Sequence, residues 1–393
     1  MKSRVTSRSF IWRNSSDMNN IGTLYKFELK KILKNRLTIA MLIITLAVII
    51  IEGLLPGLTT SREAGVAQKT LDGRVIDDEL LNEMYPQLLG NGSEWNAGNI
   101  KYMGVARVEA GILSDDDAVL SDYGAAELYE IRDEAIVDYM HRDGLTEDEI
   151  SWWQEQMAEQ APFTYVYNGG ALTLAQGLAG VLMCIMLISA LCLSTVFTLE
   201  HRQRTDQLIL SCVNGRKETY LVKMLAGLTI VIGCSVATAV LLSAMVTGLY
   251  GMDGLNSAVQ IEIPMSSYSL TMGQFIVRQM IVMITSSILF AAFSMAVSEI
   301  LKNSLAVTGI MVGLFIFGQL EVIPPQYRLL SHLNTMLPSN QISIWSLSEY
   351  RLFNIGGHFF TGYVMSPVIY LAISVVLVIA GAVSYNRFQV TGR

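Results

Sequence analysis

Residues Leu199–Lys223 read LEHRQRTDQLILSCVNGRKETYLVK. The stretch separates two long apolar runs, and it carries two basic clusters around a short apolar patch, LILSCV. A simple connection could be shorter and wholly polar. A segment that keeps an apolar patch between cationic flanks offers a surface for another protein to push on. The runs on either side make it a loop between membrane spans.

Working outward, the 393-residue chain is 52% hydrophobic and only 16% charged. A soluble globular protein averages about 45–50% apolar and about 25% charged. The apolar excess is clustered, which points to membrane helices. Six runs have spanning length: Leu37–Leu55, Ala171–Phe197, Tyr220–Tyr250, Phe275–Val297, Leu305–Val322 and Val368–Tyr385. The third is long enough to tilt or protrude. The expected fold is an all-α polytopic membrane protein of six spans, with an N-terminal interfacial helix and a helical extracytoplasmic insertion between the first two.

Lys and Arg set the orientation. With the N-terminus inside, residues 1–36, 198–223, 298–304 and 386–393 hold 17 of the 27 basic residues. The short outer loops hold only Arg278, Arg328 and Arg351. Both termini are therefore expected in the cytoplasm, with the chain in the cell membrane. Residues 1–36 lack the apolar core and small-residue cleavage site of a signal peptide. Met18 would also serve as a start, which makes residues 1–17 dispensable.

Ahead of the first span, IGTLYKFELKKILKNR (Ile21–Arg36) places Ile21, Leu24, Tyr25, Leu29, Ile32 and Leu33 at helical spacing among lysines. This reads as a basic amphipathic helix on the inner leaflet, or as a solvated start of the first span. Residues 56–168 are long enough to fold independently. Ile76–Leu89 and Ala125–Gln160 have helical patterns, and the second breaks at Asp143-Gly144 before a Thr146/Glu149 capping box. The insertion carries 23 acidic and 7 basic residues. Its surface either attracts a cationic substrate or simply solvates the domain. Trp152 and Trp153 either anchor at the membrane edge or pack beneath the domain. Residues 323–367 read as short outer helices dipping into the bilayer edge, or as an exposed loop.

Much chemistry is excluded. No phosphate loop, H-E-x-x-H, G-x-S-x-G or G-x-G-x-x-G occurs. His141, His201, His332 and His358 have no ligand spacing. Cys184, Cys192, Cys212 and Cys234 avoid the outer region, so they form no disulfide framework there. Glu52, Arg278 and Glu321 fall near expected span ends, leaving the span centres uncharged and arguing against a proton path or intramembrane catalysis. Gly309 and Gly313, in GIMVG, form a small-residue face on the fifth run.

The whole arrangement resembles the permease subunit of a type-2 ATP-binding-cassette (ABC) exporter over residues 19–55 and 168–390. In that family an acidic residue ends the second span, followed by a T-x-x-L-L-L-S helix, a turn, a basic pair and a later Lys. Here Glu200 matches the acid; Thr205, Leu208, Ile209, Leu210 and Ser211 match the helix; Arg216 and Lys217 match the pair, and Lys223 the later Lys. Arg204 replaces a frequent Gly, and Val213 stands where Pro is common, with Asn214-Gly215 supplying the turn. The outer insertion has no counterpart.

By resemblance, residues 199–217 form a coupling helix that docks a cytoplasmic ABC ATPase subunit. Two permease chains, identical or sister, pair through Gly309 and Gly313. ATP is bound by the partner subunit, and this chain needs no cofactor, metal or nucleic acid and is not itself an enzyme. Membrane lipid surrounds it, and the substrate class is a peptide, lipid or drug-like molecule. Arg204, Arg216 and Lys217 would pair with acidic rims and anionic lipid. The rival expectation is a membrane sensor whose outer domain binds a ligand and signals inward. That reading would require a large C-terminal signalling domain, whereas the sequence stops eight residues after the last run.

Overall fold

The computed structural model describes residues 15–59, 62–89, 97–113, 123–158, 160–203, 215–320, 323 and 327–387. Helix α1 (Ser15–Leu33) leads into α2 (Arg36–Thr59). The insertion follows with α3 (Arg62–Lys69), α4 (Asp78–Leu89), α5 (Ala97–Leu113), α6 (Ala125–Arg142) and α7 (Glu147–Met157). Next come α8 (Gly169–Ile188), a π turn at Ser189–Leu193, α9 (Thr195–Gln203), α10 (Gly215–Tyr250), α11 (Met272–Leu301) and α12 (Ser304–Gln319). The outer segment holds α13 (Arg328–Thr335), the single turn α14 (Pro338–Gln341), a 3₁₀ turn (Ile344–Ser348) and strands β1 (Leu352–Ile355) and β2 (His358–Thr361), before α15 (Gly362–Arg387).

Among the described residues, five stretches are long and apolar enough to cross a membrane: Arg36–Leu54, Gly169–Glu200, Glu218–Tyr250, Met272–Leu301 and Gly362–Arg387. The expected sixth is helical only over the 16 residues of α12. At about 1.5 Å per residue that is roughly 24 Å, against a hydrocarbon core of about 30 Å. Two residues of the expected run, Glu321 and Val322, lie outside the described residues.

Composition explains which spans are central. In α8, Gly170, Ala175, Gly177 and Cys184 let neighbours approach closely, and 72% of its span is buried. The corresponding share is 28% for α2 and 22% for α15, whose Ile43, Val368 and Val376 face outward. Such exposure of large apolar groups suits a lipid solvent. The π turn interrupts the normal ladder of the α8–α9 span. Its spare carbonyls are taken up by neighbours: Ser294 Oγ donates to Ser189 O at 2.5 Å, and Thr308 Oγ1 to Ala190 O at 2.8 Å.

The outer segment holds the short helices α13 and α14 and, beyond what was read for it, a strand pair. β1 and β2 form an antiparallel hairpin pairing Leu352 with Thr361 and Ile355 with His358. Gly356 and Gly357, at φ +62° and +87°, make the two-residue turn that such a hairpin requires. The insertion is also not closed on itself. Leu71, Leu80, Val105, Leu128 and Phe163 form one core. Ile136, Met140, Ile150 and Trp153 join the core of the membrane helices instead. Thr146 and Glu149 form the capping box at the start of α7. Trp153 is 1% exposed and packs edge-on to Tyr268 and Tyr350, and its Nε1 donates to Tyr350 O at 2.6 Å. Packing beneath the domain is thus the role of Trp153. Nearby, burial pushes the Glu349 carboxyl above its usual range, against the opposing pull of Arg351.

Candidate functional site

The membrane face opposite the insertion is where α9 ends and α10 begins, on either side of residues 204–214. Glu200 lies on the last described turn before that gap, and Lys223 two turns into α10. Both are buried, Lys223 completely. They form an ion pair across the two helices. A second cation arrives from α1: Lys31 Nζ lies 3.0 Å from Glu200 Oε1 and 3.6 Å from Glu28 Oε2. Glu28 is itself only 4% exposed. Two acids and two lysines from three elements therefore share one buried site of no net charge. Buried charges persist only when paired in this way.

Aromatic rings wall the cluster. Phe197, Tyr220 and Tyr385 stack mutually with centroids 5.5–5.8 Å apart. Lys223 Nζ sits 5.3 Å from the Phe197 ring centre, within cation–π range. Tyr220 donates its hydroxyl to Val378 O at 2.8 Å, which ties α15 to α10. That approach depends on Gly381, where an added Cβ would lie 2.4 Å from the Tyr220 oxygen. Helix α1 packs mainly along α10 and buries Glu28 and Ile32 there; Tyr25 donates to Thr229 Oγ1 at 2.9 Å. Movement of any one element would pull a charge from its partners, so the cluster links α1, the α8–α9 span and α10 mechanically.

The residues singled out in the sequence are distributed as follows. Glu200 and Lys223 meet directly. Arg204, Thr205, Leu208, Ile209, Leu210, Ser211 and Cys212 lie outside the described residues. Arg216 and Lys217 occupy the first turn of α10, and their side chains are likewise not described. Gly309 and Gly313 lie on an exposed face of α12, with nothing within 4 Å of an added Cβ. Glu28 and Lys31 escaped the sequence reading. The signal was present, because Glu28 is the one acid on the Tyr25–Leu29–Ile32 stripe of an otherwise basic helix. No group of three or more metal-ligating side chains occurs among the described residues.

Glu52 stands two residues before the end of the Arg36–Leu54 stretch, near a span end as its sequence position implied. It packs against α8, where a Cβ added to Gly177 would stand 3.6 Å from Glu52 Cβ, and one added to Gly180 would stand 2.8 Å from Oε1. Gly180 is eleven residues beyond the start of α8 at Gly169, roughly 16 Å along its axis.

Comparison with known proteins agrees with this organisation. The family described as ABC-2 family transporter protein matches residues 23–390, from α1 to just beyond the end of α15. No curated protein and no solved structure matches the chain. With nearly its whole length matched, including the insertion, this chain is a multi-pass membrane protein that belongs to the ABC-2 transporter family, the permease component of ABC transporters.

Proposed function

We propose that this chain is the membrane-spanning half of an ABC exporter, driven by ATP hydrolysed in a separate cytoplasmic subunit that docks on residues 199–217. The supporting observation is the buried Glu28–Lys31–Glu200–Lys223 cluster at the base of that segment. A segment rooted in fixed charges on three elements can pass a push from outside the membrane to α1, the α8–α9 span and α10 together. Two permease chains pair, with α12 and α2 facing the partner, and both termini lie in the cytoplasm. α12 contributes to a sixth crossing. The substrate is a peptide, lipid or drug-like molecule moved outward, with access switched as the ATPase dimer closes. ATP is bound by the partner alone.

The ATPase should be gripped through apolar burial. Exposed ion pairs contribute about 0–1 kcal/mol each, whereas burying a Leu side chain contributes about 1.5–3 kcal/mol. Leu208→Asp would place an unpaired charge in the docking groove and should separate the subunits. Arg204→Ala should weaken coupling only modestly. The measurement is co-purification of the ATPase with each variant, alongside substrate-stimulated ATP turnover. Full docking and stimulation by Leu208→Asp, with loss of both in Arg204→Ala, would refute this reading of the segment.

A further inference from the structure

A cavity of about 660 Å³ lies beneath the insertion, between α3, α5 and the outer ends of α8 and α10. That volume suits a drug-sized ligand, for which sites of about 300–1,000 Å³ are usual. Tyr165, Tyr167 and Tyr250 give it aromatic walls, and Gln68, Thr173 and Gln176 line it with polar groups. Asn168 also lines the cavity; the residue is 7% exposed and its buried Nδ2 has no hydrogen-bond partner. Charges around the cavity are already balanced. Arg107 Nη1 lies 3.5 Å from Glu262, and Lys69 lies 2.5 Å from Asp253.

From the cavity one stripe of α8 leads on toward the α2 side. Gly169, Thr173, Gln176 and Gly180 recur at helical spacing, and the first three line the cavity. Gln176 is exposed although it lies two turns inside an apolar span. One turn below it the stripe ends at Gly180, against the Glu52 carboxylate. Glu52 is half-buried and has no ion pair or hydrogen bond to any described residue. An ionisable side chain inside an apolar stretch and without a partner is costly, and such residues mark binding sites or pathways. Gly177 and Gly180 provide the room in which the Glu52 side chain lies flat on α8. The stripe therefore joins an aromatic, amide-lined chamber with balanced charge to a single uncompensated anion.

We propose that this chamber and Glu52 form a binding site for a lipophilic cation: the cationic nitrogen lies over the Glu52 carboxylate, and the aromatic or acyl body lies in the cavity below the insertion. The strongly acidic insertion, with 23 acidic and 7 basic residues in 56–168, concentrates such cations at the entrance. The proposal deepens the exporter reading by naming a substrate class, and it rests on that reading for the direction of transport only. Binding itself requires neither ATP nor the partner subunit.

The test uses the full-length permease in lipid nanodiscs, with fluorescence anisotropy of rhodamine 6G, a lipophilic cation, and Nile red, an uncharged dye of similar size. Glu52→Gln keeps the shape and removes the charge. It should weaken rhodamine 6G binding by roughly tenfold or more, the usual loss when a charged hydrogen-bond partner is removed. Nile red binding should be unchanged, and Glu52→Asp should recover part of the rhodamine 6G affinity. Gln176→Leu should weaken the cation severalfold. If Glu52→Gln does not assemble, Gly180→Ala serves instead, because its Cβ would displace the carboxylate. Unchanged rhodamine 6G binding, or equal loss of both dyes, overturns the proposal. Failure here leaves ATPase docking untouched, and failure of docking leaves dye binding untouched, so the two readings can fail separately.

Discussion

At the scale of single residues, the buried four-charge cluster makes a quantitative claim. Removing one partner of a buried ion pair strands the other and typically costs about 3–5 kcal/mol, whereas removing both can be nearly neutral. Glu200→Gln, which strands the fully buried Lys223, should therefore lower stability by an amount in that range, and Lys223→Met by less, because Glu200 keeps Lys31. The double variant should recover most of the loss, because Lys31 retains Glu28. Unfolding of the purified permease in mixed micelles, run as a double-mutant cycle, reads the coupling energy; additive losses would show that the groups act independently.

A second claim concerns Glu83 in α4. The Tyr102 hydroxyl, then Arg74, hold its pKa down at about 2. Lys101 also reaches it, at 3.2 Å. An unfolded Glu titrates near about 4.3. A carboxylate depressed on folding contributes stability that is fully present above the unfolded value and is lost as pH falls toward the folded one. The difference in melting temperature between the native protein and Glu83→Gln should thus be constant above about pH 5 and shrink from there toward pH 2. A difference independent of pH would exclude the pairing.

At the scale of elements, α12 is, among the described residues, the one apolar helix too short to span by itself. Its exposed Leu305, Ile310, Leu314 and Ile316, together with open Gly309 and Gly313, leave a face that a second chain could cover. Single cysteines at Gly309 and Gly313 should crosslink between chains, whereas cysteines on the exposed faces of α11 and α15 should not. Crosslinks confined to those two helices would place the dimer elsewhere.

Elements also show what was legible in the sequence. The long apolar runs announced themselves because each needs its own apolar surface. The capping box at Thr146 was equally local. The π turn at Ser189–Leu193 was not legible, because SALCL contains no Gly or Pro and the turn is held by Ser294 and Thr308, more than 100 residues away. The β1–β2 hairpin was hidden among alternating apolar residues that suit a short helix equally well, and only Gly356-Gly357 hinted at it. Of the candidate site, Glu200 and Lys223 were picked out by their match to the acidic position and the later Lys of the family motif. Their partners Glu28 and Lys31 were not, because only the packing of α1 on α10 brings them near.

At the scale of the whole molecule, the insertion and the membrane helices are one structure. Arg132 of α6 is fully buried, and it donates to Pro264 O and Ser266 O in the α10–α11 loop, each at 2.7 Å. Its Nη1 reaches Asp133 at 2.7 Å, and its Nη2 reaches Gln160 at 3.1 Å. Phe163 lies beneath the guanidinium, 5.0 Å from it. Arg132→Met leaves the Pro264 carbonyl unpaired in a buried site, at a cost of about 1–3 kcal/mol, while Ser266 O keeps the Gln260 amide at 3.1 Å. Hydrogen exchange should then speed up in α6, α7 and the α10–α11 loop together, leaving α8 unchanged. Faster exchange restricted to α6 would mean that the insertion is an independent unit.

That latch also sets an order of events during synthesis. Arg132 is made 132 residues before Pro264, and Trp153 precedes its acceptor Tyr350 by 197. At about 5–20 residues per second, the underside of α6 and α7 waits roughly 7–40 seconds for its acceptors to emerge. Throughout that interval Ile136, Met140, Ile150 and Trp153 have no finished surface to cover them. The nascent insertion is then at its most vulnerable to proteases and to holdase chaperones on its own side of the membrane.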